Sequence, residues 1–408
     1  MKIVVALPYA PWPVTKGLDR LIVNLLEGLS VRHEVVLVTM ALDREQLARL
    51  SEIETPRVAV RAMLAPNRRS PLHRAAYKAR NAGAMLLARI PMQVSYAAPP
   101  GLLRLVAETA RAERAELVLA SYWHLYRVPE FLPGARLALV TMDLDFLVHP
   151  ERIAKARGGA ARAREAARTR LLERIELEAY SRFDTILTVT EADAAAMRAH
   201  PVTSAKAIHT LPLALDLGRF DPAGFVRERD RVLLLGAFHA DFNGDALRYF
   251  LRDVWPLVRE RNPAARLDVV GHGVEPGLRA LAGPGVSFAG GVEDIRPVLG
   301  RCAVMALPLR FGGGVRIRMM EAAAMAAPVV STPVGVAGMG LEAGREYLEA
   351  EDPRGMADAI ARLLGDPDEA ARLGLGARAW AERNISMKTY PDRLDALLEA
   401  IVLPPPLP

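Results

Sequence analysis

The sequence has only one cysteine, Cys302, among its 408 residues. A single cysteine excludes a disulfide framework and any metal site built from several thiolates. No run approaches the ~20 apolar residues that a membrane-spanning helix needs. The apolar run before Pro8 is too short for the hydrophobic region of a signal peptide. From these absences we expect a cytoplasmic protein, either soluble or peripheral on the inner face of the membrane.

Lysine is also scarce, and it occurs only at Lys2, Lys16, Lys78, Lys155, Lys206 and Lys388. The net charge of +6 is therefore carried mainly by arginine. Arginine keeps its charge and grips phosphate through two parallel hydrogen bonds, which suits acidic ligands or anionic lipid headgroups. Nucleic acid is not expected as a partner, because the basic residues are spread out and no nucleic-acid-binding module is present.

The length predicts two domains, because single hydrophobic cores stop growing below this size. Short apolar runs alternate with helical patterns, which predicts parallel sheets covered by helices. Predicted strands cover residues 3–7, 34–39, 116–120, 137–141 and 185–190, then 231–235, 267–270, 286–289, 304–307 and 329–331. We expect a first domain at 1–220 and a second at 221–385, both doubly wound and facing a cleft. Residues 386–408 would form a helix that packs on the first domain, followed by a proline-rich tail.

Two stretches are rich in arginine, and the first of them allows two interpretations. Residues 67–89 have a basic amphipathic pattern, compatible with a helix on an anionic membrane surface or with an ordinary solvated face. Residues 153–182 form a long helical stretch with an apolar stripe, which we interpret as structural.

The most informative stretch covers residues 307–338. A strand ending at Leu307 is followed by a turn containing Gly312, Gly313 and Gly314, and then by a helix predicted from near residue 315 to residue 328. Glycines before a helix start leave backbone N–H groups open to an anion. The pattern puts Arg316 and Arg318 in the first turn, where cations oppose the helix dipole. A bound diphosphate would offset that cost.

Glu321 follows Arg318 by three residues, on a neighbouring face of the predicted helix. A carboxylate there suits hydrogen bonds from a ribose. The alternative is a surface ion pair between Arg318 and Glu321.

The segment GGGVRIRMMEAAAMAAPVVST resembles the donor-binding signature of family 4 retaining glycosyltransferases. The resemblance implies a GT-B fold with two Rossmann-like domains and gives Glu321 the role of ribose ligand. It also implies that Gly313 occupies the position of the family's first glutamate. Members with this glycine-rich variant carry a basic pair, which matches Arg316 and Arg318.

The stretch VLLLGAFHADFNGDALRYF is similar to the opening of the family's second domain. The resemblance implies donor contacts at Gly236 in this stretch and at Gly271 after the next strand. It also implies contacts near the nucleotide base at Val292 and Asp294, in the segment FAGGVED. Most members have an arginine and a lysine on the donor phosphates after this strand. This chain has neither, which strengthens the case for the basic pair.

The first domain resembles the family mainly in the order of its elements. Gly17 and Lys16 match the loop that approaches donor phosphate and sugar, although Lys16 also fits an exposed helix start. Asp143 occupies the position where many members have a histidine near the reacting carbon, and a helix N-cap is its alternative. His124 follows another strand end and is a further candidate.

The resemblance implies transfer of a sugar from a nucleoside-diphosphate sugar to an acceptor hydroxyl, with retention of configuration, in glycan, polysaccharide or glycoconjugate biosynthesis. No cofactor and no metal are expected, because arginines and a helix start can neutralise the diphosphate. The alternatives are a sugar-nucleotide epimerase and a non-catalytic nucleotide-sugar-binding subunit.

Overall fold

The computed structural model describes residues 1–14, 17–66, 77–79, 81, 83, 90, 92–147, 158–312 and 314–402. Most of the basic segment at 67–89 lies outside these residues, as do Lys16 and Gly313. Within the described ranges, no helix is long and apolar enough to cross a membrane.

A seven-stranded parallel sheet forms the centre of the first half, in the order β3-β2-β1-β4-β5-β6-β7. Its strands are β1 Lys2–Ala6, β2 Glu34–Ala41, β3 Val58–Leu64, β4 Leu117–Ser121, β5 Leu137–Thr141, β6 Thr185–Thr188 and β7 Ala207–Thr210. Every strand predicted for this half is present, with ends that differ by a residue or two. The order reverses between β1 and β4, so their carboxyl ends form the topological switch point of this sheet.

A six-stranded parallel sheet forms the centre of the second half, in the order β10-β9-β8-β11-β12-β13. Its strands are β8 Glu228–Leu235, β9 Arg266–Val270, β10 Val286–Gly290, β11 Cys302–Leu307, β12 Val329–Ser331 and β13 Leu348–Glu349. The order reverses between β8 and β11, which are paired in parallel. The carboxyl ends of β8 and β11 therefore form the switch point of the second sheet.

Helices cover both sheets, as the alternating pattern predicts. Those in the first half are Gly17–Ser30, Arg44–Arg49, Met92–Ala97, Pro100–Ala112, Val128–Phe131, Gly159–Ser181 and Glu191–Ala199. Those in the second half are Asp241–Tyr249, Trp255–Arg261, Pro276–Arg279, Arg296–Arg301, Ile317–Ala324, Pro333–Val336, Pro353–Gly365, Pro367–Asn384 and Tyr390–Val402.

The helix after the glycines is shorter than predicted. It begins at Ile317, with Arg316 as the N-cap residue at φ −89° and ψ 80°, and it ends at Ala324. Arg316 therefore precedes the first turn, and only Arg318 lies within it. The helix ends early because Ala326 adopts a left-handed φ of 48°, which interrupts the helical hydrogen bonds.

The chain forms two compact units. The first contains Met1–Leu213, Gly313–Val315 and Thr389–Pro408, and the second contains Ala214–Gly312 and Arg316–Lys388. In the first unit, helix Tyr390–Val402 packs so closely on helix Gly17–Ser30 that a Cβ at Gly28 would overlap the Tyr390 ring. Arg32 adds ion pairs to Asp392 and Asp395 at the same contact.

Candidate functional site

The turn after β11 depends on glycine geometry. Gly312 has φ 112° and Gly314 has φ 73°, backbone conformations that residues with a Cβ rarely adopt. Because β11 ends at Leu307, this turn leaves the sheet at the switch point of the second unit. The sequence placed Gly312 and Gly314 correctly in a tight turn, while their binding roles stay predictions.

Arg316 folds back over the turn instead of extending into solvent. Its side chain is buried, and one terminal NH2 group donates a 2.6 Å hydrogen bond to the carbonyl oxygen of Gly312. The guanidinium carbon lies 5.6 Å from the centre of the Phe242 ring, a cation–π distance. The turn therefore carries a fixed positive charge whose position is set by an aromatic ring and a carbonyl.

Arg318 extends to the end of β8, which forms the switch point of the second sheet together with β11. It donates hydrogen bonds to the carbonyl oxygen of Leu235, the last residue of β8, and to Asn243 Oδ1 at 2.7 Å. Asn243 is itself oriented by a 3.0 Å bond from its Nδ2 to the carbonyl of Ala237. Among the described residues, these acceptors take two of the five N–H groups of the guanidinium.

The positive charges of Arg316 and Arg318 repel each other. Burial, together with the neighbouring charge of Arg316, lowers the pKa of Arg318 to about 10, while Glu321 acts in the opposite direction. Arg318 therefore keeps its positive charge at neutral pH at a cost in free energy. An anion bound beside both guanidiniums would offset that cost.

The carboxyl ends of β8, β9 and β10 lie side by side next to Leu235, to which Arg318 donates. The amide of Gly236 donates to the carbonyl of Val270 at 3.1 Å, and the amide of Gly271 donates to the carbonyl of Gly290 at 2.6 Å. Gly271 has φ 141°, and a Cβ there would overlap the carbonyl oxygen of Gly236. The predicted residues Gly236 and Gly271 thus form one compact backbone edge along β8, β9 and β10.

Val292 and Asp294 follow β10. Val292 is 40% exposed. The carboxylate of Asp294 accepts bonds from Arg296 Nε at 2.8 Å and from an Arg296 terminal nitrogen at 2.6 Å. This bidentate bond from Arg296 lowers the pKa of Asp294. Asp294 has a structural partner that sequence reasoning did not foresee, and its role in binding stays a prediction.

The candidates of the first unit lie at the ends of β4 and β5. Asp143 is exposed, and its carbonyl accepts a 2.9 Å bond from Thr141 Oγ1. A Cβ at Gly314, which is grouped with this unit, would overlap Asp143 Oδ1. The fold therefore brings the predicted Asp143 and Gly314 together. Asp143 and Asp145 are two residues apart, but the Asp145 carboxylate accepts from Trp123 Nε1 at 3.1 Å.

His124 lies in a short 3-10 helix, Trp123–Leu125. Its ring stacks on Trp123 with centroids 4.2 Å apart. Burial lowers the pKa of His124 to about 4, so the imidazole is neutral at pH 7. A neutral ring can accept or donate one hydrogen bond but cannot act as a cation.

The remaining candidates lie on helices. Gly17 is the first residue of helix Gly17–Ser30, and Glu321 lies on helix Ile317–Ala324 one turn beyond Arg318. Sequence reasoning missed Phe242 as a contact of Arg316. It also missed Asn243, whose side-chain oxygen accepts a hydrogen bond from Arg318.

Comparison with known proteins gives two findings from sequence. Residues 229–366 match the family model described as Glycosyl transferases group 1. Over 218 residues, the chain is 30% identical to the GDP-mannose-dependent alpha-(1-6)-phosphatidylinositol monomannoside mannosyltransferase of Mycolicibacterium smegmatis. That alignment spans 47% of this chain and 56% of the relative, so it covers little more than half of that protein.

Solved structures match along nearly the whole chain. Sucrose-phosphate synthase from Thermosynechococcus elongatus aligns with a TM-score of 0.69 at 15% identity, over 98% of both chains. HepE of Anabaena in complex with UDP aligns with a TM-score of 0.65 at 15% identity, over 98% of this chain and 100% of HepE. The chain has the GT-B fold. The predicted fold class is thus confirmed, whereas family 4 membership and the glycine-rich motif variant stay predictions. In this GT-B chain, the matched region 229–366 includes Gly236, Gly271, Arg316, Arg318 and Glu321.

Proposed function

We propose that the protein is a glycosyltransferase that moves a sugar from a nucleoside-diphosphate sugar to an acceptor hydroxyl. The observation that carries this proposal is the position of Arg318, whose guanidinium bonds to the carbonyl at the end of β8. The resembling family has its phosphate-binding arginine and lysine after this strand. Here an arginine from the helix after β11 supplies positive charge to the same strand end.

The donor diphosphate would bind beside the glycine turn, next to Arg316 and Arg318. The bond between the anomeric carbon and the β-phosphate oxygen breaks, and its electron pair stays on the phosphate. The acceptor oxygen forms the new bond to the anomeric carbon, and its proton leaves with the diphosphate or to solvent. Fixed guanidinium donors stabilise the charge that grows on the leaving phosphate more than they stabilise the ground state.

The proposal also covers the stereochemistry of transfer, its independence of metal and its place in the cell. Retention of configuration follows from the resemblance to family 4. Independence of metal is supported by the guanidiniums of Arg316 and Arg318, which would neutralise a diphosphate bound beside them. A cytoplasmic location, a role in glycan or polysaccharide biosynthesis and contact with an anionic membrane complete the proposal.

The two guanidiniums also support a nucleotide sugar as the donor, because its diphosphate is an anion that they would bind. The mycobacterial relative is GDP-mannose-dependent by its name, and HepE was solved with UDP. Incubation with GDP-mannose and with UDP-glucose tests the function directly. Release of nucleoside diphosphate supports a transferase, whereas conversion to an isomeric sugar nucleotide, or binding without turnover, would replace the proposal by the epimerase or the non-catalytic subunit.

Glu321→Ala is expected to weaken nucleoside diphosphate binding. Hydrogen bonds from ribose hydroxyls to a carboxylate are worth roughly 1.5–3 kcal/mol each, so the dissociation constant should rise at least ~10-fold. Calorimetry with GDP and UDP measures this change. Glu321→Gln keeps the shape and one acceptor and should lose less. Equal affinity in all three proteins would remove Glu321 from the donor site.

Gly314→Ala is expected to lower donor turnover by roughly 10- to 100-fold, because the new methyl group must displace the carboxylate of Asp143. Gly340→Ala is the matched control. Gly340 has a similar φ of 69° against 73° for Gly314, but nothing lies near its Cβ position. Both variants should lose about 1 kcal/mol of stability from backbone strain. Similar turnover in the two variants would show that the position of Asp143 does not matter.

A further inference from the structure

Glu176 is an acidic residue in the hydrophobic core of the first unit. It lies on helix Gly159–Ser181, and its neighbours on the same face of that helix, Leu172, Ile175 and Ala179, are core residues. Glu176 itself is 0% exposed. A carboxyl group at such a position costs free energy unless polar groups satisfy it. The contacts of Glu176 therefore have to explain why a leucine does not occupy this position.

A chain of polar contacts runs from Glu176 to the loop after β5. The hydroxyl oxygen of Tyr180 lies 2.7 Å from Glu176 Oε1 and 3.3 Å from Oγ1 of Thr141, the last residue of β5. Thr141 Oγ1 donates in turn to the carbonyl oxygen of Asp143 at 2.9 Å. Tyr180 and Thr141 are both buried. The chain therefore connects a core carboxyl group to the backbone of a candidate site residue.

The number of hydrogens in this chain shows which state of Glu176 completes it. Three contacts need three hydrogens, and the hydroxyls of Tyr180 and Thr141 supply one each. The third must come from the carboxyl group of Glu176, which then donates to Tyr180. Tyr180 can then donate to Thr141, and Thr141 to the carbonyl of Asp143. If Glu176 is ionised, Tyr180 has to donate to the carboxylate, and its contact with Thr141 is left without a hydrogen.

The surroundings of Glu176 also favour its protonated form. Burial and the negative charge of Asp145, which lies in the same loop as Asp143, raise the pKa of Glu176 to about 8. Hydrogen bonds from Tyr180 and from the backbone amides of Asp145 and Phe146 act in the opposite direction and offset only part of this effect. Glu176 therefore keeps its proton at neutral pH and loses it near pH 8.

The other titratable groups around this loop lie on three elements. Tyr180, on the same helix as Glu176, has a pKa well above its ordinary value because it is buried. The 3-10 helix that packs on this helix carries His124, whose pKa burial lowers to about 4. His200 packs edge to face on the ring of Phe146, with centroids 5.3 Å apart. Of the groups with shifted pKa values, Glu176 is thus the one that changes its charge near pH 8.

We propose that Glu176 is a positioning residue, whose proton completes the hydrogen-bond chain that holds the loop of Asp143 and whose ionisation releases that loop. This inference rests on the proposed glycosyltransferase function and adds control of its site by pH. On ionisation the proton passes to solvent, and its electron pair stays on the carboxylate. The carboxylates of Glu176 and Asp145 then repel each other while the chain has lost one hydrogen bond. Both effects move the loop away from the helix.

The test compares Glu176→Gln and Tyr180→Phe with wild type. The glutamine amide is uncharged at every pH and can donate to Tyr180 as the protonated acid does, so it keeps the chain complete. Tyr180→Phe removes the middle hydroxyl but keeps the ring, so it leaves the chain broken at every pH. Glu178→Gln is the matched control, because Glu178 lies on the same helix but its side chain is 38% exposed and pairs with Arg182.

The first readout is the release of nucleoside diphosphate from GDP-mannose and UDP-glucose as a function of pH. Wild type should lose about 10-fold in turnover between about pH 7 and pH 9, because one group that titrates near pH 8 loses most of its protons over this range. Glu176→Gln should keep the wild-type rate of pH 7 throughout. Tyr180→Phe should be as slow at pH 7 as wild type is at pH 9. Glu178→Gln should stay within about two-fold of wild type at each pH.

The second readout does not depend on turnover. Trp123 Nε1 donates to the Asp145 carboxylate at 3.1 Å, so the indole N–H signal of Trp123 in NMR spectra reports the position of the loop. The chain has four tryptophans, and Trp123→Phe identifies the signal by its loss. In wild type and in Glu178→Gln, this signal should move towards that of a free indole with a midpoint near pH 8. In Glu176→Gln it should stay in place over the same range.

The inference is wrong if the Trp123 signal of wild type does not titrate between about pH 7 and pH 9, or if Glu176→Gln titrates in the same way. It is also wrong if wild type and Glu176→Gln have the same pH profile of turnover, because the loop would then not govern the reaction. Failure of the proposed function has a different signature. In that case wild type releases no nucleoside diphosphate at any pH, while the Trp123 signal still decides whether the proton of Glu176 holds the loop.

Discussion

Arg318→Met is expected to lower the kcat of donor turnover at least ~100-fold, the scale seen when one preorganised donor to a developing charge is removed. Methionine keeps much of the apolar stem, so the helix should still pack. The loss should fall mainly on kcat, because the charge on the departing phosphate grows in the transition state. Arg316→Met is expected to act in the same direction, since its guanidinium also lies at the glycine turn. Steady-state kinetics with GDP-mannose and UDP-glucose measure both effects.

Arg310→Met provides the matched control for these variants. Arg310 lies in the same loop after β11, but its guanidinium makes a bidentate ion pair with Asp245 at 2.6 and 2.9 Å and packs on the ring of Tyr249. Its replacement should leave kcat within a few-fold of wild type. If Arg316→Met and Arg318→Met, together in one protein, left turnover intact, the diphosphate would have to bind elsewhere and the proposed mechanism would be wrong.

Arg227→Met is expected to lower the free energy of unfolding by roughly 3–5 kcal/mol, because it removes one hydrogen-bond donor from each of four carbonyls of buried residues. Arg227 donates to the carbonyls of Leu299 and Cys302 at 3.2 and 2.8 Å, and to those of Met325 and Ala326 at 3.0 and 2.6 Å. Burial lowers the pKa of Arg227 because the guanidinium has lost contact with water.

Thermal or urea unfolding of the whole chain measures this effect. The second unit of the variant should unfold at a lower temperature or urea concentration than that of wild type. Arg252→Met is the control, because the Arg252 side chain is 74% exposed and its nearest carboxylate, on Asp253, is 3.8 Å away. We expect that change to stay within about 0.5 kcal/mol of wild type. Equal stability of the two variants would show that water replaces the guanidinium of Arg227 at no cost.

The use of Arg227 changes the interpretation of the arginine-rich composition. The sequence favoured acidic ligands as the reason for so many arginines. In the second unit, however, Arg378 also donates to backbone, at the carbonyls of Phe220 and Ala324 with 2.6 and 2.5 Å bonds. Part of the arginine content therefore holds loops and helix ends together. Composition cannot separate these uses, because a guanidinium can donate hydrogen bonds to backbone carbonyls as well as to a phosphate.

The sequence by itself determined the two parallel sheets and most of their strands. Strands buried on both faces need continuous apolar runs, and such runs can be recognised without knowing their neighbours. The strands that it missed are β3, β7 and β13, which all lie at sheet edges. These three strands are short or interrupted by polar residues, so their patterns resemble loops, whereas β10, which also lies at an edge, was recognised. The glycines of the turn after β11 were also recognisable, because backbone geometry there depends on local residue type.

Only the tertiary structure decided where the charges and hydroxyls of the candidate sites lie. Arg318 bonds to Leu235 and Asn243, which are 83 and 75 residues away in the sequence, and Tyr180 meets Thr141 across 39 residues. Such pairs depend on which strands become neighbours, and that order follows from the packing of the whole sheet. Local sequence patterns report the conformation of a segment. They carry no record of the distant segment that its side chains touch.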